Sequence, residues 1–256
     1  EPWEVRPSAH YSMGGIRVNE NGVSVGGKKV GESRKGISGL FAAGQAMGGL
    51  FGANRLGSTS LTELAVFGTR AGIAASKLAR TKKIDIKDES FTLLIIEIKK
   101  LFGQKGNISA TSLKVKLQKN CWDNIGPVRT EEGLNSMEKL LQEMKNQLSD
   151  ISIPSYGVWN QAFLDFIELR NMLDTAKAVS MAAKERNGSL GGHVRLDCKN
   201  ISILSQPYST LINKDTSNKW QIRRVERDRT PLKSIIFYKI IEYKRLFQAK
   251  ILALTP

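Results

Sequence analysis

Two hydrophobic periods meet near residue 80, and that switch limits the fold more than any other feature of the chain. Residues 1–80 are glycine-rich and read as strands, turns and one helix. GGIRVNENGVSV carries Asn21-Gly22, a hairpin-turn pair, between two β-prone runs. ISGLFAAGQAMGG is a short apolar run ending on glycine, the pattern of a buried strand entering a tight turn. From about Asp85 to Ala183 the period becomes helical, with apolar residues recurring about every 3.6 positions. The helical stretches are DESFTLLIIEIKKLF, SATSLKVKLQKNCWDNI, TEEGLNSMEKLLQEMKNQL and NQAFLDFIELRNMLDTAKAVSMAAKER. Gly103, Gly106, Gly126-Pro127 and Pro154 separate them. The expected fold is α+β, with strands and one helix followed by a helical bundle. Trp122 and Trp159 fall in the apolar helical patterns and are expected in the core or in domain packing. Beyond Gly188 the pattern weakens; KWQIRRVERD and KSIIFYKIIEYKRLF read as a hairpin or as a closing strand and helix.

The first helix is expected from about Leu61 to Leu78, opened by Ser60 and Glu63 as a capping box. Its approach, FGANRLGSTSLTEL, puts a cation and a bend at the mouth of a helix. Arg55 can grip a carboxylate with two parallel hydrogen bonds, and Asn54 and the glycines would shape the loop. The free N–H groups and positive dipole end at Ser60-Leu61 attract negative charge. An anion is therefore expected here; the simpler alternative is a capped helix with a surface arginine. In RPSAHYSMGGI, His10 follows Pro7, adjoins Tyr11 and precedes Gly14-Gly15. Paired glycines let the backbone approach a flat ligand, or they simply form a turn with His10 hydrogen-bonded inside it.

Composition narrows the function classes. Hydrophobic residues at 41% and charged ones at 25% of 256 residues describe a globular chain rather than a disordered one. The net charge of +15 concentrates at Lys77–Lys119 and Lys214–Lys250. Nucleic acid is not expected as a partner, because the basic residues are not interleaved with stacking aromatics and no zinc-finger spacing occurs. Cys121 and Cys198 lie far apart and His10 and His193 are too few for a metal cluster, so no metal site is expected; the cysteines suit a reducing compartment. No apolar run reaches the roughly 18 residues of a membrane span. The opening EPWEVRPSAHY has neither an initiator Met nor a leader pattern, which reads as a start inside a longer protein.

Taken in order, RPSAHYSMGGI, GLFAAGQA and GANRLGSTSLTELAVFGTRAG closely resemble the succinate dehydrogenase/fumarate reductase flavoprotein subunits, with the L-aspartate oxidases sharing much of the pattern. WDNIGPVRTEEGL resembles the start of that family's helical domain, and ELRNMLDTAKAVSMAAKERNGSLGGHVRLD its later helix and the loop after it. The resemblance covers about Arg6 to Asp197, and little is recognisable beyond. It implies a partial FAD-binding, Rossmann-like segment over residues 1–80, a helical domain over 81–197 and an extension over 198–256. It also implies that His10 and Arg55 bind the carboxylates of a dicarboxylate beside the flavin. Ser60 and Leu61 would donate N–H groups to the flavin's pyrimidine edge, where reduced flavin carries negative charge. Gly14, Gly15, Gly44, Gln45 and Asn54 are the further cofactor contacts it implies.

The family's G-x-G-x-x-G fingerprint and its capping domain, which supplies a proton-passing arginine, are absent from these residues. FAD is therefore expected to bind only with a complementary N-terminal half, and no catalytic residue is assigned within this chain. Gln45 stands where the family has an acidic residue on the ribityl hydroxyls, and Phe51 where it commonly has histidine. The family's R-x-E-S-R-G-A-H-x-R becomes RNGSLGGHVR, which keeps Arg186, Ser189, Gly191, His193 and Arg195 but has Gly188 and Leu190 for the Glu and the second Arg. Those losses either loosen the loop or mark a divergent or inactive member, and His193 and Arg195 are expected to tie the helical domain to the flavin domain. The activity implied is FAD-dependent interconversion of succinate and fumarate, with electrons exchanged with an iron–sulfur subunit. The location implied is the cytoplasm or the cytoplasmic face of a membrane. Alternatives are an aspartate oxidase, and a non-catalytic assembly piece whose helical part binds a partner.

Overall fold

The computed structural model describes residues 11–26, 34–82, 88–155, 159–199, 201, 205–215, 217–229 and 231–252. Its N-terminal segment is built on close backbone approaches. Strand β1 (Ile16–Arg17) pairs in parallel with β4 (Met47–Gly48), and β2 (Val25–Gly26) pairs antiparallel with β3 (Arg34–Lys35). A Cβ on Gly15 would stand 2.4 Å from the Ala46 carbonyl oxygen, and one on Gly48 would stand 2.6 Å from the Gly15 nitrogen. The Asn21-Gly22 turn forms as expected, with Gly22 at φ +70° and the Asn19 side chain accepting from Asn21 and Val23 N–H at 3.0 and 3.1 Å.

The apolar run after Ser38 is not the continuous strand expected. It makes one bridge at Phe41, turns through a 3₁₀ turn at Gly44–Ala46, and only then enters β4. Gly44, at φ +65°, breaks the extended run, and its N–H donates to Glu63 Oε1 at 2.7 Å. That bond also replaces the expected capping box. Helix α1 (Thr59–Thr81) starts after Ser58, which sits at φ 66° with no side-chain cap, while Glu63 is buried against Gly44 instead of reaching back to Ser60.

The helical period is met almost residue for residue by α2 (Asp88–Leu101), α3 (Ala110–Ile125), α4 (Glu131–Gln147) and α5 (Gln161–Glu185). The caps are legible: Thr130 accepts from Gly133 N–H at 3.1 Å and Asn160 from Phe163 N–H at 3.0 Å. The core is a three-helix pack of α3, α4 and α5. In α5 the buried Phe166, Leu169, Leu173, Ala176, Ser180 and Ala183 follow alternating three- and four-residue steps. Leu117, Leu134, Met137 and Met144 face them and are solvent-free. Helix α2 joins mainly through its C-terminal end, where Leu101 meets the core and the following Phe102 stacks on Phe163 with ring centroids 4.7 Å apart.

The tryptophans are not in the core: Trp122 is 55% and Trp159 91% exposed. On α3 the inward face runs through Leu113, Leu117 and Ile125, and Trp122 falls outside that stripe; Trp159 precedes the N-cap of α5. At the edge of the core, buried Asp165 accepts from Thr111, Lys114 and Gln161, and these bonds hold its carboxyl down at about 2.

Strands β5 (Val128–Arg129) and β6 (Val194–Arg195) pair in parallel beside the core. Of the two C-terminal alternatives the strand and helix is found: KWQIRRVERD holds β8 (Trp220–Glu226), whose antiparallel hairpin partner is the unexpected β7 (Tyr208–Lys214), and KSIIFYKIIEYKRLF lies in α6 (Leu232–Leu252). The hairpin docks on α5 through Lys214–Asp174 at 2.7 Å and Arg224–Glu185 at 2.6 Å. No helix among the described residues is long and apolar enough to cross a membrane.

Removing a solvent-free core side chain leaves a cavity, so Leu169→Ala is expected to lower stability by about 2–5 kcal/mol in urea unfolding. Val115→Ala, on the outer face of α3 at 61% exposure, is expected to stay within about 0.5 kcal/mol.

Candidate functional site

An open groove of 2540 Å³ runs between the N-terminal segment, the loop after α5, the β7–β8 hairpin and α6. Its N-terminal wall carries Arg55. The Asn54 side chain accepts the Arg55 N–H at 2.9 Å and shapes the loop, and the Arg55 guanidinium lies 4.4 Å from the centre of the Tyr11 ring. Tyr11 meets Phe51 edge to face at 5.7 Å, so the phenylalanine serves as a wall for this aromatic–cation stack. The Tyr11 hydroxyl is buried without a hydrogen-bond partner among the described residues. Burial first, then the Glu63 carboxylate, raises its pKa, with Arg55 opposing.

The expected site residues divide into groups. Arg55, Asn54, Gly14, Gly15, Ser60 and Leu61 all line this groove. His10 lies outside the described residues. Gly15 lacks a side chain chiefly because Ala46 and Gly48 crowd it, whereas among the described residues nothing stands within 4 Å of a Cβ on Gly14. Gly44 is buried beneath α1 and Gln45 is exposed, and neither lines the groove. At the helix mouth, Leu61 N–H turns back to the Ser58 carbonyl at 3.1 Å.

The opposite wall is the loop from Arg186 to Asp197, and it is held at three helix ends. The Arg195 side chain is 1% exposed and makes a two-pronged pair with Asp197, at 2.8 and 2.9 Å. Asp197 in turn accepts Glu131 N–H at 2.6 Å at the start of α4, while Arg195 reaches the Ala183 carbonyl at 3.5 Å at the end of α5. A cation at a helix C-terminus and an anion at an N-terminus both suit the helix dipoles. The Arg195 guanidinium holds the Asp197 carboxyl far below the usual carboxylate range.

The third anchor is Arg129. Its Nε and Nη2 donate to the Ile125 carbonyl at 3.2 and 3.1 Å, at the end of α3, and its Nη1 donates to His193 Nδ1. His193 Nε2 faces the Arg186 carbonyl at 3.3 Å, so the ring is a neutral link that accepts on one side and donates on the other. Burial first, then the Arg129 charge, lowers the His193 pKa to about 4.

Despite the two departures from the family pattern, this loop is not loose. Leu190 and His193 exchange backbone hydrogen bonds of 2.9 and 3.1 Å, and Ile201 fills the space where a Gly188 side chain would stand. Its tip touches the Arg55 loop, with Gly192 N–H donating to the Ala53 carbonyl at 3.0 Å. The contact of His193 and Arg195 with the N-terminal segment expected from the sequence is thus made one step removed, through Gly191 and Gly192. Sequence reasoning passed over Arg129 and the role of Asp197. Their signals were the short PVR run after Gly126 and the acid two residues beyond Arg195.

Comparison with known proteins agrees with this architecture. A family model described as fumarate reductase flavoprotein C-term matches residues 114–243, and one described as FAD binding domain matches residues 2–61. The first extends the resemblance past Asp197, through the hairpin and into α6. The chain is 34% identical over 202 residues to the succinate dehydrogenase flavoprotein subunit of Rickettsia conorii, covering 77% of this chain and 34% of that protein. It is 36% identical over 202 residues to the fumarate reductase flavoprotein subunit of Proteus vulgaris, covering 77% of this chain and 32% of that protein. A variant of the E. coli quinol fumarate reductase FrdA superposes with a TM-score of 0.78 at 30% identity, covering 90% of this chain and 39% of that one. The chain belongs to the succinate dehydrogenase/fumarate reductase flavoprotein family. It spans about a third of the length of the curated relatives it matches.

A histidine buried neutral binds fewer protons folded than unfolded, so its contribution is present above its ordinary pKa and is lost as pH falls. Stability is expected to decline between about pH 6.5 and pH 4 in part through His193. His193→Asn keeps an acceptor for Arg129 but cannot titrate, so its urea midpoint is expected to fall less across that window than the wild-type midpoint does.

Proposed function

We propose that this chain contributes the C-terminal part of an FAD-dependent oxidoreductase that interconverts succinate and fumarate or a similar dicarboxylate. The observation that supports this most is Arg55, stacked on Tyr11 at the mouth of α1 and facing the groove. A guanidinium held over an aromatic ring is pre-oriented, so less freedom is lost when it grips a carboxylate.

The groove wall fits a flat, polar-edged group of the flavin kind. Among the described residues nothing stands within 4 Å of a Cβ on Gly14 or Gly57, both of which line the groove, and none of them meets the buried Tyr11 hydroxyl. Gly14, Asn54 and the Ser60 end of α1 would hold FAD, with Leu61 N–H giving up its bond to Ser58 to join them, and His10 and Arg55 would hold the carboxylates. Bound there, FAD supplies two-electron chemistry at the substrate's carbon–carbon bond. The positive end of α1 would stabilise negative charge that grows on the pyrimidine edge.

The complementary half with the FAD fingerprint is the first partner proposed. Val66 and Ile73, two turns apart on one face of α1, are 39% and 52% exposed, an apolar surface suited to a further layer of an α/β domain. An iron–sulfur subunit is the second, and through it the protein would sit at the cytoplasmic face of a membrane.

Flavin fluorescence quenching with the chain alone, and then with the complementary half added, tests the proposal. Binding is expected only with both, together with dicarboxylate-dependent flavin turnover that falls at least about 100-fold in Arg55→Ala. An assembled pair that binds no flavin, or an Arg55→Ala protein that turns over normally, would overturn it.

A further inference from the structure

The tip of the loop after α5 meets the Arg55 loop in a contact with no slack. Gly191 sits at φ +58°, and a Cβ built on it would stand 2.3 Å from the Ala53 carbonyl oxygen and 2.7 Å from the Ala53 Cβ. Gly192, its neighbour, is different: a Cβ there would be 3.8 Å from the same oxygen, an ordinary contact. Gly192 N–H donates to that oxygen at 3.0 Å. One residue separates Ala53 from Arg55, and the Asn54 side chain already clasps the Arg55 N–H. A displacement of Ala53 therefore passes directly to Arg55.

The other side of the tip cannot give way. His193 is held between the Arg129 guanidinium and the Arg186 carbonyl, Arg129 is itself fixed on the Ile125 carbonyl, and the next residues pair as β6 with β5. Arg195 is locked into its pair with Asp197. The compliant partner is the Arg55 loop, where Ala53 and Asn54 are exposed.

We infer that Gly191 and His193 are positioning residues for Arg55: through Ala53 they set where its guanidinium stands and so the affinity for the dicarboxylate. This rests on the reading of Arg55 as a dicarboxylate ligand. Relieving the contact made by a Cβ at 191 requires Ala53 to retreat by about 1 Å, a displacement large enough to cost a positioned group most of its effect. His193→Phe removes the acceptor for Arg129 and frees the tip, whereas His193→Asn keeps an acceptor.

The test uses the assembled flavoprotein, with malonate as an unreactive dicarboxylate probe titrated by calorimetry and amide hydrogen exchange read over residues 51–57. Gly191→Ala and His193→Phe are expected to raise the malonate Kd about tenfold or more at unchanged flavin content and to speed exchange in that segment. Gly192→Ala and His193→Asn are expected to stay within about twofold. Should Gly191→Ala not fold, the Phe and Asn pair at 193 decides alone. Unchanged exchange over 51–57 in His193→Phe overturns the inference whatever binds. Arg55→Ala separates the two readings. If it leaves the malonate Kd unchanged, the assignment of Arg55 fails and the affinity inference with it. If it weakens malonate while Gly191→Ala and His193→Phe do not, only the positioning role fails.

Discussion

Arg195 and Asp197 form the interaction on which the arrangement of the groove depends. A guanidinium with 1% of its side chain exposed cannot remain there without a countercharge, because the desolvation of an unpaired ion costs far more than one contact returns. Asp197 supplies that charge two residues away and is itself fixed by the first N–H of α4. The pair thus stands between the end of α5 and the start of α4, each ion at the helix terminus whose dipole favours it. With those two ends joined, the two-residue pairing of β5 with β6 is enough to fix a loop that would otherwise cross open surface.

From that anchor the geometry of the opposite wall follows. Arg129 ties the end of α3 to His193, and the turn from Leu190 to His193 projects its glycines onto Ala53. The helical core and the N-terminal segment meet here through backbone rather than through interlocking side chains. Backbone contact has little tolerance, which is why a residue without a Cβ stands at 191 and why a methyl group at 192 is harmless by comparison. The hairpin adds a second tie, with Arg227 donating to the Gly49 carbonyl at 3.0 Å.

In the N-terminal segment the same logic appears at smaller scale. Glu63 gives up a cap on its own helix to hold Gly44, and Gly15 and Gly48 lose side chains so that two backbones can pass. Ser58 opens α1 in the left-handed region at φ 66°, a conformation costly for a residue with a Cβ and one that concentrates at binding sites.

The helices were legible because their cause is local: alternating three- and four-residue apolar steps in α5, Thr130 and Asn160 at N-caps, and glycine or proline at the breaks. Arg55 and Asn54 were legible for the same reason, since loop and helix mouth lie within a few residues of each other. Three features were not. The partner of Glu63 lies nineteen positions away at Gly44, that of Arg129 sixty-four away at His193, and that of Asp197 sixty-six away at the α4 N-terminus. Trp122 failed for a subtler reason, because a helix turns about 100° per residue and a single position decides whether an indole faces core or water. The sequence by itself determined which segments are helical, where they stop, and that a cation waits at the mouth of α1. Only the tertiary structure decided which carboxylate caps which amide and which glycine bears on Arg55, because pairings between distant residues leave no periodic trace in the chain that makes them.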